Sequence, residues 1–193
     1  MRKNNSILVF LIILPLCLLD IQNLVAQSDT LLPDLIPYRK GDKWGFCNQK
    51  KEIIIPCKYD YVNFFHEGLA KVTLFSKLGF VDKKGNEVIP LKYDNIGNFH
   101  EGLTWVELNK KSGFINKEGK EVIPLIFDDA EDFNEGLAPV MINNKCGFVD
   151  KKGIEIISFK YDYVEFFNKG LAFVKLNGIW GYIDKNGTEY WEE

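Results

Sequence analysis

The sequence predicts an all-β protein made of tandem units of about 34 residues, a period typical of repeat architectures. Three observations support this prediction. A glycine followed by an aromatic residue recurs at one constant step, first from Gly45 to Gly79. Each step contains short runs of β-branched and aromatic residues, which favour strands. A tight turn follows the first run, as in residues 82–85. Pairs of helices can also repeat at this period, but no run here is long enough for two helices.

The first two strands of each unit are predicted to form a hairpin. In the second unit they cover residues 79–82 and 87–89, and Pro90 is expected to end the second strand. Asp is favoured at the first turn position, and Gly takes the left-handed position that closes the turn. The first unit has Lys51 in place of that glycine. A left-handed lysine costs about 1 kcal/mol, so this hairpin is expected to be the least well specified.

A third strand is predicted after an irregular stretch, at residues 103–108 in the second unit. Alternate residues of this strand are apolar in every unit, which is typical of a half-buried strand. The opposite face varies. One of its positions is occupied in the four units by Lys71, Trp105, Pro139 and Phe173. Because a lysine occurs there, this face is expected to be open to solvent.

The repeat array covers residues 35–193 and has four full units between two partial ones. It begins with a lone third strand at residues 35–38 and finishes with a first hairpin at residues 180–191. Each unit needs its neighbours to bury its apolar side. We therefore expect an open, solenoid-like β-repeat stack of units with about three short antiparallel strands each. A closed five-unit propeller-like ring is the alternative.

Three markers define the units. The first is the hairpin glycine, at Gly45, Gly79, Gly113, Gly147 and Gly181. The second is the glycine of a Glu-Gly-Leu sequence or its variant, at Gly68, Gly102, Gly136 and Gly170. The third is an aromatic residue followed by Asp, as at Tyr59 and Asp60. We interpret the marker glycines as structural, with the hairpin glycine placed where the backbone packs closely or departs from ordinary strand geometry.

The motifs KWGF at residues 43–46, WGYIDKNG at 180–187 and FxEGLA at 65–70 resemble the WG-repeat family of bacterial exported proteins. The resemblance covers all four units and both partial ones. It implies an all-β repeat array and export, and it implies no catalytic residues. The residue directly before the hairpin glycine, which is the W of the WG motif, is a tryptophan only at Trp44 and Trp180. We expect these two side chains to cover core that is exposed at the ends of the array.

Residues 1–26 are interpreted as a signal peptide, with residues 27–34 as a short linker. Arg2 and Lys3 precede an unbroken apolar stretch at residues 7–19, and Ala26 offers a small residue before a cut. This stretch is short for a membrane-spanning helix, although an uncleaved anchor is the alternative. The prediction is an exported protein that is periplasmic, displayed on the cell surface or secreted.

Charge and cysteine content limit the partners. The net charge is −3, and loss of two bases and one acid with the leader makes it −4. An acidic chain argues against nucleic acid and anionic membrane as partners, and no membrane insertion of the mature chain is expected. Cys47 and Cys57 occupy repeat positions that are otherwise apolar, which favours buried thiols. A disulfide among Cys47, Cys57 and Cys146 is left open. No cysteine spacing predicts a metal site.

The candidate binding residues are the departures from the repeat. Trp105 and Phe173 lie on the variable face beside Lys71 in the repeat, where an aromatic ring could stack on a sugar or a partner chain. The alternative is that they cover the neighbouring loop. His66 and His100 share one position in adjacent units and form a candidate metal-binding or pH-sensitive pair, with a polar loop role as the alternative.

The recurrent acids are interpreted as turn residues. Asp82 has an Asn counterpart at Asn48, and that exchange keeps turn hydrogen bonds while abolishing acid–base chemistry. The acids Glu67, Glu101 and Glu135 recur once per unit until Lys169 replaces them. We therefore predict a non-enzymatic module without cofactor or metal that binds protein or glycan of the cell envelope. An enzyme acting on envelope polysaccharide and a purely structural spacer are the alternatives.

Overall fold

A computed structural model of the chain describes residues 32–191, which form nineteen β-strands. No helix in these residues has the length and apolar character needed to cross a bilayer. The predicted signal peptide and all but the last residues of the predicted linker lie outside the described residues.

The strands form five antiparallel sheets, in which strands consecutive in the chain are hydrogen-bonded neighbours. The first sheet contains β1 (Ile36–Lys40), β2 (Lys43–Cys47) and β3 (Ile53–Tyr59). The second sheet contains β4 (Tyr61–Val62), β5 (Leu69–Leu74), β6 (Lys77–Asp82) and β7 (Glu87–Tyr93). The third sheet contains β8 (Asn95–Ile96), β9 (Leu103–Leu108), β10 (Lys111–Asn116) and β11 (Glu121–Phe127).

The last two sheets repeat this pattern. The fourth sheet contains β12 (Asp129–Ala130), β13 (Leu137–Ile142), β14 (Lys145–Asp150) and β15 (Glu155–Tyr161). The fifth sheet contains β16 (Tyr163–Val164), β17 (Leu171–Leu176), β18 (Ile179–Asp184) and β19 (Glu189–Tyr190). Each sheet therefore joins the third strand of one sequence unit to the hairpin of the next.

Two details of the strands differ from the prediction. Four sheets have four strands instead of three, because the irregular stretch contributes a two-residue strand; in β8, Ile96 pairs with Val106. Pro90 does not end its strand, since β7 continues and Tyr93 pairs with Leu78 after a register shift. A β-bulge tolerates the missing proline N–H, which is why the strand can run through it.

The bulged strand explains the hairpin glycine. A Cβ atom on Gly113 would lie 2.6 Å from the carbonyl oxygens of both Ile123 and Pro124. The same clash with the backbone of the bulged strand recurs at Gly45, Gly79 and Gly147. The expectation of close backbone packing at this position is confirmed there.

The hairpin turns have the predicted chemistry. Asp82 Oδ1 accepts hydrogen bonds from the backbone N–H groups of Lys84 at 2.8 Å and Asn86 at 2.9 Å. Asn48 in the first turn makes the equivalent bonds, so these recurrent acids serve the turn. Lys51 takes the left-handed position with φ of 63°, where a glycine is favoured.

The apolar core lies in the gaps between consecutive sheets, with one cluster in each of four gaps. In the last gap Phe148 and Tyr161 of the fourth sheet pack with Val174 and Ile183 of the fifth. One aromatic pair per gap contributes to the contact, with ring centroids 4.7–5.2 Å apart: Phe46–Phe65, Phe80–Phe99, Phe114–Phe133 and Phe148–Phe167.

The stack is open, as predicted, and the ring alternative is wrong. No sheet among the described residues combines strands from the two ends. Tyr182 of the fifth sheet is 48% exposed, whereas its phenylalanine counterparts in the other four sheets are at most 5% exposed. A neighbouring sheet would bury Tyr182, so none of the described strands covers this face of the fifth sheet.

The expected end-covering role is wrong for Trp44, whereas Trp180 lies on the uncovered face of the fifth sheet and stacks there on Phe173. Trp44 lies in the first gap, packed against the cluster that the first two sheets share, with its ring 6.4 Å from Tyr61. Trp180 is itself 47% exposed. The alternation of side chains along β2 and β18 directs both tryptophans toward the following sheet. In the described part of the chain, a following sheet is present for Trp44 and absent for Trp180.

Candidate functional site

The variable position of the third strand faces a gap between sheets, which corrects the expectation that it is open to solvent. Lys71 on β5 is half-buried, and its ammonium donates to the carbonyl oxygens of Ile96 at 3.0 Å and Gly97 at 3.4 Å. Burial lowers the pKa of Lys71 below its ordinary value. Residues at this position therefore fill the space between one sheet and the inner loop of the next.

Trp105 fills the corresponding space one gap later. It is half-buried and packs against the apolar cluster shared by the third and fourth sheets. Its indole lies over Gly97, where a Cβ atom would be 2.6 Å from Trp105 Cδ1 and 2.7 Å from Asp132 Oδ1. This placement matches the loop-covering alternative.

Pro139 is too short to fill the gap between the fourth and fifth sheets, and a cavity of about 750 Å³ lies there. Pro139, Met141 and Cys146 form its wall on the fourth sheet, and Tyr163 and Phe166 form the wall on the fifth. Tyr163 is 45% exposed and Phe166 is 54% exposed, so both rings are accessible. We call this space the inter-sheet cavity.

Carboxylates surround the inter-sheet cavity. They belong to Asp129, Glu131 and Asp132 from the fourth sheet and its loop, and to Asp162 and Glu165 from the fifth. Lys145 neutralises one of them, with its ammonium 2.6 Å from Asp162. His100 is the basic group of the described lining, and its Nε2 lies 3.3 Å from Asp132 Oδ2. The lining is therefore strongly acidic.

Two of these carboxyl groups have raised pKa values. Burial raises the pKa of Asp132, against the opposing effect of the nearby His100 and Lys71 charges. Burial and then the charges of Asp129 and Asp132 raise the pKa of Glu131. Asp132 Oδ1 is buried and has no hydrogen-bond partner among the residues that the structure describes. A buried acceptor without a partner costs the fold the desolvation free energy of that group.

Sequence reasoning missed these acids, although a signal for them exists. The positions of Asp129 and Asp132 hold Tyr or Asn and Phe or Asn in the other units. The departure is confined to the third unit, within a stretch that was predicted only as irregular. A search for positions where one copy differs in charge from all the others identifies them.

Phe173 lies apart from the inter-sheet cavity wall, on the uncovered face of the fifth sheet. It stacks on Trp180 with centroids 5.0 Å apart and an interplanar angle of 13°. Lys71, Trp105 and Phe173 therefore do not form one surface, because each lies in or beyond a different gap.

The two histidines do not form a metal site. His66 and His100 are exposed, and His100 is paired with Asp132 across a gap. No group of three or more His, Cys, Asp or Glu side chains in residues 32–191 is arranged to hold a metal ion. Cys47 is buried, Cys57 and Cys146 are half-buried, and all three are free thiols.

The repeated glutamates bind lysines of a following unit. Glu101 lies 3.0 Å from the Lys151 ammonium, and Glu135 lies 3.0 Å from that of Lys185. Glu135 also accepts the backbone N–H of Gly170 at 3.1 Å. These carboxylates stabilise the stacking of units.

Comparisons with known proteins support the fold. The chain is similar to the solved structure of Kluyveromyces lactis Hsv2 with complete loop 6CD, at 9% identity and a TM-score of 0.50, over 81% of this chain and 58% of that chain. It is similar to a eukaryotic initiation factor at 13% identity and a TM-score of 0.52, over 81% of this chain and 50% of that chain. The chain thus spans about half of each structure's length, and likeness at this identity shows the fold alone.

Family membership follows from the repeats themselves. No curated protein matches the chain. The family model described as WG containing repeat matches residues 44–74, 79–111, 113–146 and 147–178, which together make up more than half of the chain. The four matches coincide with the units defined by the marker glycines. The chain therefore belongs to the WG containing repeat family.

Proposed function

We propose that the chain is a non-enzymatic binding module whose inter-sheet cavity takes basic side chains of a partner protein. The observation that carries this proposal is the cavity of about 750 Å³ between the fourth and fifth sheets, with its surplus of carboxylates. Ligand pockets of proteins are commonly of this size and combine apolar walls with a few polar groups.

The chemistry of the lining favours a lysine or arginine side chain. Such a side chain has an apolar stem and a cationic head. Met141 and Pro139 offer apolar contact for the stem, and the carboxylates of Glu131, Asp132 and Glu165 attract the head. The exposed rings of Tyr163 and Phe166 add cation–π attraction, which is worth about 0.5–1 kcal/mol at an exposed site.

A protein partner fits this charge better than an acidic glycan. Acidic polysaccharide would be repelled by Glu131, Asp132 and Glu165, whereas a basic peptide segment would be attracted. The sequence predicts export, so the proposed partner is a protein of the cell envelope or the extracellular space. A neutral glycan could stack on the rings of Tyr163 and Phe166 alone.

The proposal can be tested with short peptides of equal length that differ in net charge, and with neutral and acidic glycans, on an array probed with the purified chain. We expect the basic peptides to bind. Fluorescence anisotropy then measures their affinity. Pro139→Trp should abolish binding, because Trp105 shows that this position accommodates an indole that fills the gap. Asp132→Asn should weaken binding about tenfold, in the range measured for buried charge pairs at interfaces.

Glu155→Gln is the matched control, because it removes an exposed carboxylate on β15 away from the cavity. Its affinity should equal that of the unchanged chain. Affinity should also fall as salt is added. Binding that survives Pro139→Trp would place the partner elsewhere, and binding confined to glycans would replace the proposed partner class.

One observation favours a second function, acid–base catalysis on a polysaccharide. Burial raises the pKa values of Asp132 and Glu131, and a carboxylic acid with a raised pKa can protonate a leaving group. Incubation of the chain with envelope polysaccharides and analysis of the reducing ends measures this activity. Turnover that Asp132→Asn abolishes would establish an enzyme and would refute the non-enzymatic module.

A further inference from the structure

The fifth sheet presents an aromatic face that no other sheet of residues 32–191 covers. We call it the end face, and it contains Leu171, Phe173, Trp180 and Tyr182. Leu171 is 40% exposed, whereas its counterparts in the three preceding sheets are at most 9% exposed. In those sheets the same face closes a gap and packs on the following sheet. The end face is therefore one half of an interface that the chain builds four times.

The first sheet presents the other half of that interface. Its outer face, which we call the leading face, contains Ile36 and Tyr38 on β1. Both side chains are half-buried. The residues at these positions in the second sheet, Ala70 and Val72, are 0% and 1% exposed because the first sheet covers them.

We propose that the leading face of a second copy of this chain docks on the end face and continues the stack head to tail. A second copy fits the end face because the contact reproduces the sheet-to-sheet packing present in each gap of one chain. This proposal concerns a surface separate from the inter-sheet cavity and does not depend on the function proposed for it.

The charges at this junction are compatible with docking. Within the chain, each glutamate of the Glu-Gly-Leu turn binds a lysine of a following unit at a constant separation, as in Glu67–Lys117 at 2.7 Å and Glu135–Lys185 at 3.0 Å. If the repeat continues across the junction, the partner of Lys169 is the residue of the next copy at the equivalent position of the first hairpin turn, which is Gln49. Lys169 stands where the other units have a glutamate, and Gln49 stands where the other turns have a lysine. Because Gln49 is neutral, the two side chains do not repel each other at the junction.

The contact uses two different faces and is therefore heterologous. A heterologous contact that does not close into a ring grows into an open chain of subunits. We expect a distribution of oligomers that extends beyond the dimer as the concentration rises.

Sedimentation of the full chain over a range of concentrations tests this inference. The unchanged chain should show a mass that rises steadily with concentration. Phe173→Glu on the end face and Tyr38→Glu on the leading face should each weaken self-association about tenfold or more, as the loss of an aromatic anchor at an interface does. Phe75→Glu is the matched control, because Phe75 lies on a turn and is 82% exposed. It should associate as the unchanged chain does.

A mixture of the two interface variants makes the test specific. Phe173→Glu retains a working leading face and Tyr38→Glu retains a working end face, so the mixture should form one-to-one dimers and nothing larger. Ile36→Lys replaces Tyr38→Glu if the latter lowers the melting temperature. A chain that is monomeric at all concentrations would overturn the inference. So would a dimer that Phe173→Glu abolishes and Tyr38→Glu leaves intact, since that pattern indicates a two-fold symmetric contact.

Discussion

The ammonium group of Lys71 lies 3.0 Å from the carbonyl oxygen of Ile96, across the gap between the second and third sheets. This contact shows what the variable position of the third strand does. Its occupant spans from one sheet to the inner loop of the next, as a lysine in one gap and as an indole in another. Pro139 cannot span that distance, and the inter-sheet cavity results.

Lys71→Met should change how stability depends on pH. Burial lowers the pKa of Lys71 below 10.5, so the folded state loses the proton at a lower pH than the unfolded state. The cost of holding the buried charge is fully present below the folded pKa and disappears as the pH rises through the unfolded value. Denaturant unfolding should therefore show the unchanged chain gaining stability relative to Lys71→Met toward pH 10.5. Lys152→Met, an exposed turn position, should show no such gain.

Glu135→Gln should lower the melting temperature at neutral pH and leave it unchanged in strong acid. The hydrogen bond from Lys185 is the main reason that the pKa of Glu135 is lowered below 4.5. A depressed pKa stabilises the fold above the unfolded value, and this contribution is lost as the pH falls through the folded value. Calorimetry at neutral pH and at about pH 2 measures the difference. The exposed Glu118→Gln is the control, and an equal effect from it would contradict the explanation.

Gly113→Ala should destabilise the chain by about 3 kcal/mol, the upper range for an overpacked site. The added Cβ would lie 2.6 Å from two carbonyl oxygens of the bulged strand, and backbone atoms cannot move aside cheaply. Gly102→Ala separates this clash from backbone strain, because Gly102 has φ of 89° and nothing within 4 Å of a Cβ. It should cost only about 1–2 kcal/mol. Equal losses in urea unfolding would count against the packing argument.

Lys51→Gly should stabilise the chain by about 1 kcal/mol. Lys51 holds φ of 63° in the first hairpin turn, where the other hairpins have glycine. The gain from relieving this strain exceeds the entropy that a glycine adds to the unfolded chain. Lys50→Gly, one residue earlier and outside the left-handed region, should instead lower stability in the same urea titration. A loss at Lys51 would refute the assignment of strain.

Asp132→Asn should raise the melting temperature at neutral pH while it weakens binding of a basic peptide. Burial raises the pKa of Asp132 above 3.8, so the folded state binds the proton more tightly than the unfolded state does. Stability therefore falls as the pH rises through this interval, and the charged form carries the full cost at neutral pH. Thermal melts at neutral pH and at about pH 2 should show a gain only at the former. A loss of stability at neutral pH would mean that Asp132 supports the fold.

The fold could be predicted from the sequence to a large extent. The constant period of the units, the turn from Asp82 and the alternation on the third strand are local patterns, and local backbone preferences decide them. Membership of the WG-repeat family followed from the same markers and is confirmed. Continuation of the strand through Pro90 was not foreseen, because a β-bulge is set by the neighbouring strand and not by the proline itself.

The candidate site could be predicted only in part. The rule that function lies where the copies differ led to Trp105 and Phe173, and the structure places them in a filled gap and on an open end. The same rule applied to charge would have led to Asp129 and Asp132. A comparison of the copies could not predict the inter-sheet cavity beside these two residues.

The sequence by itself determined the unit, its turns and the apolar face of each strand, because these depend on residues close together in the chain. Only the tertiary structure decided which faces meet. The cavity beside Pro139 could not be predicted from the sequence, because Tyr163 and Phe166 of the next sheet form its other wall. The repeat pattern likewise places Tyr182 at a core position. The side chain is nevertheless exposed, because no further sheet in the described part of the chain covers it. Burial in a stack is set by the neighbouring unit, and a repeat pattern does not contain that neighbour at its end.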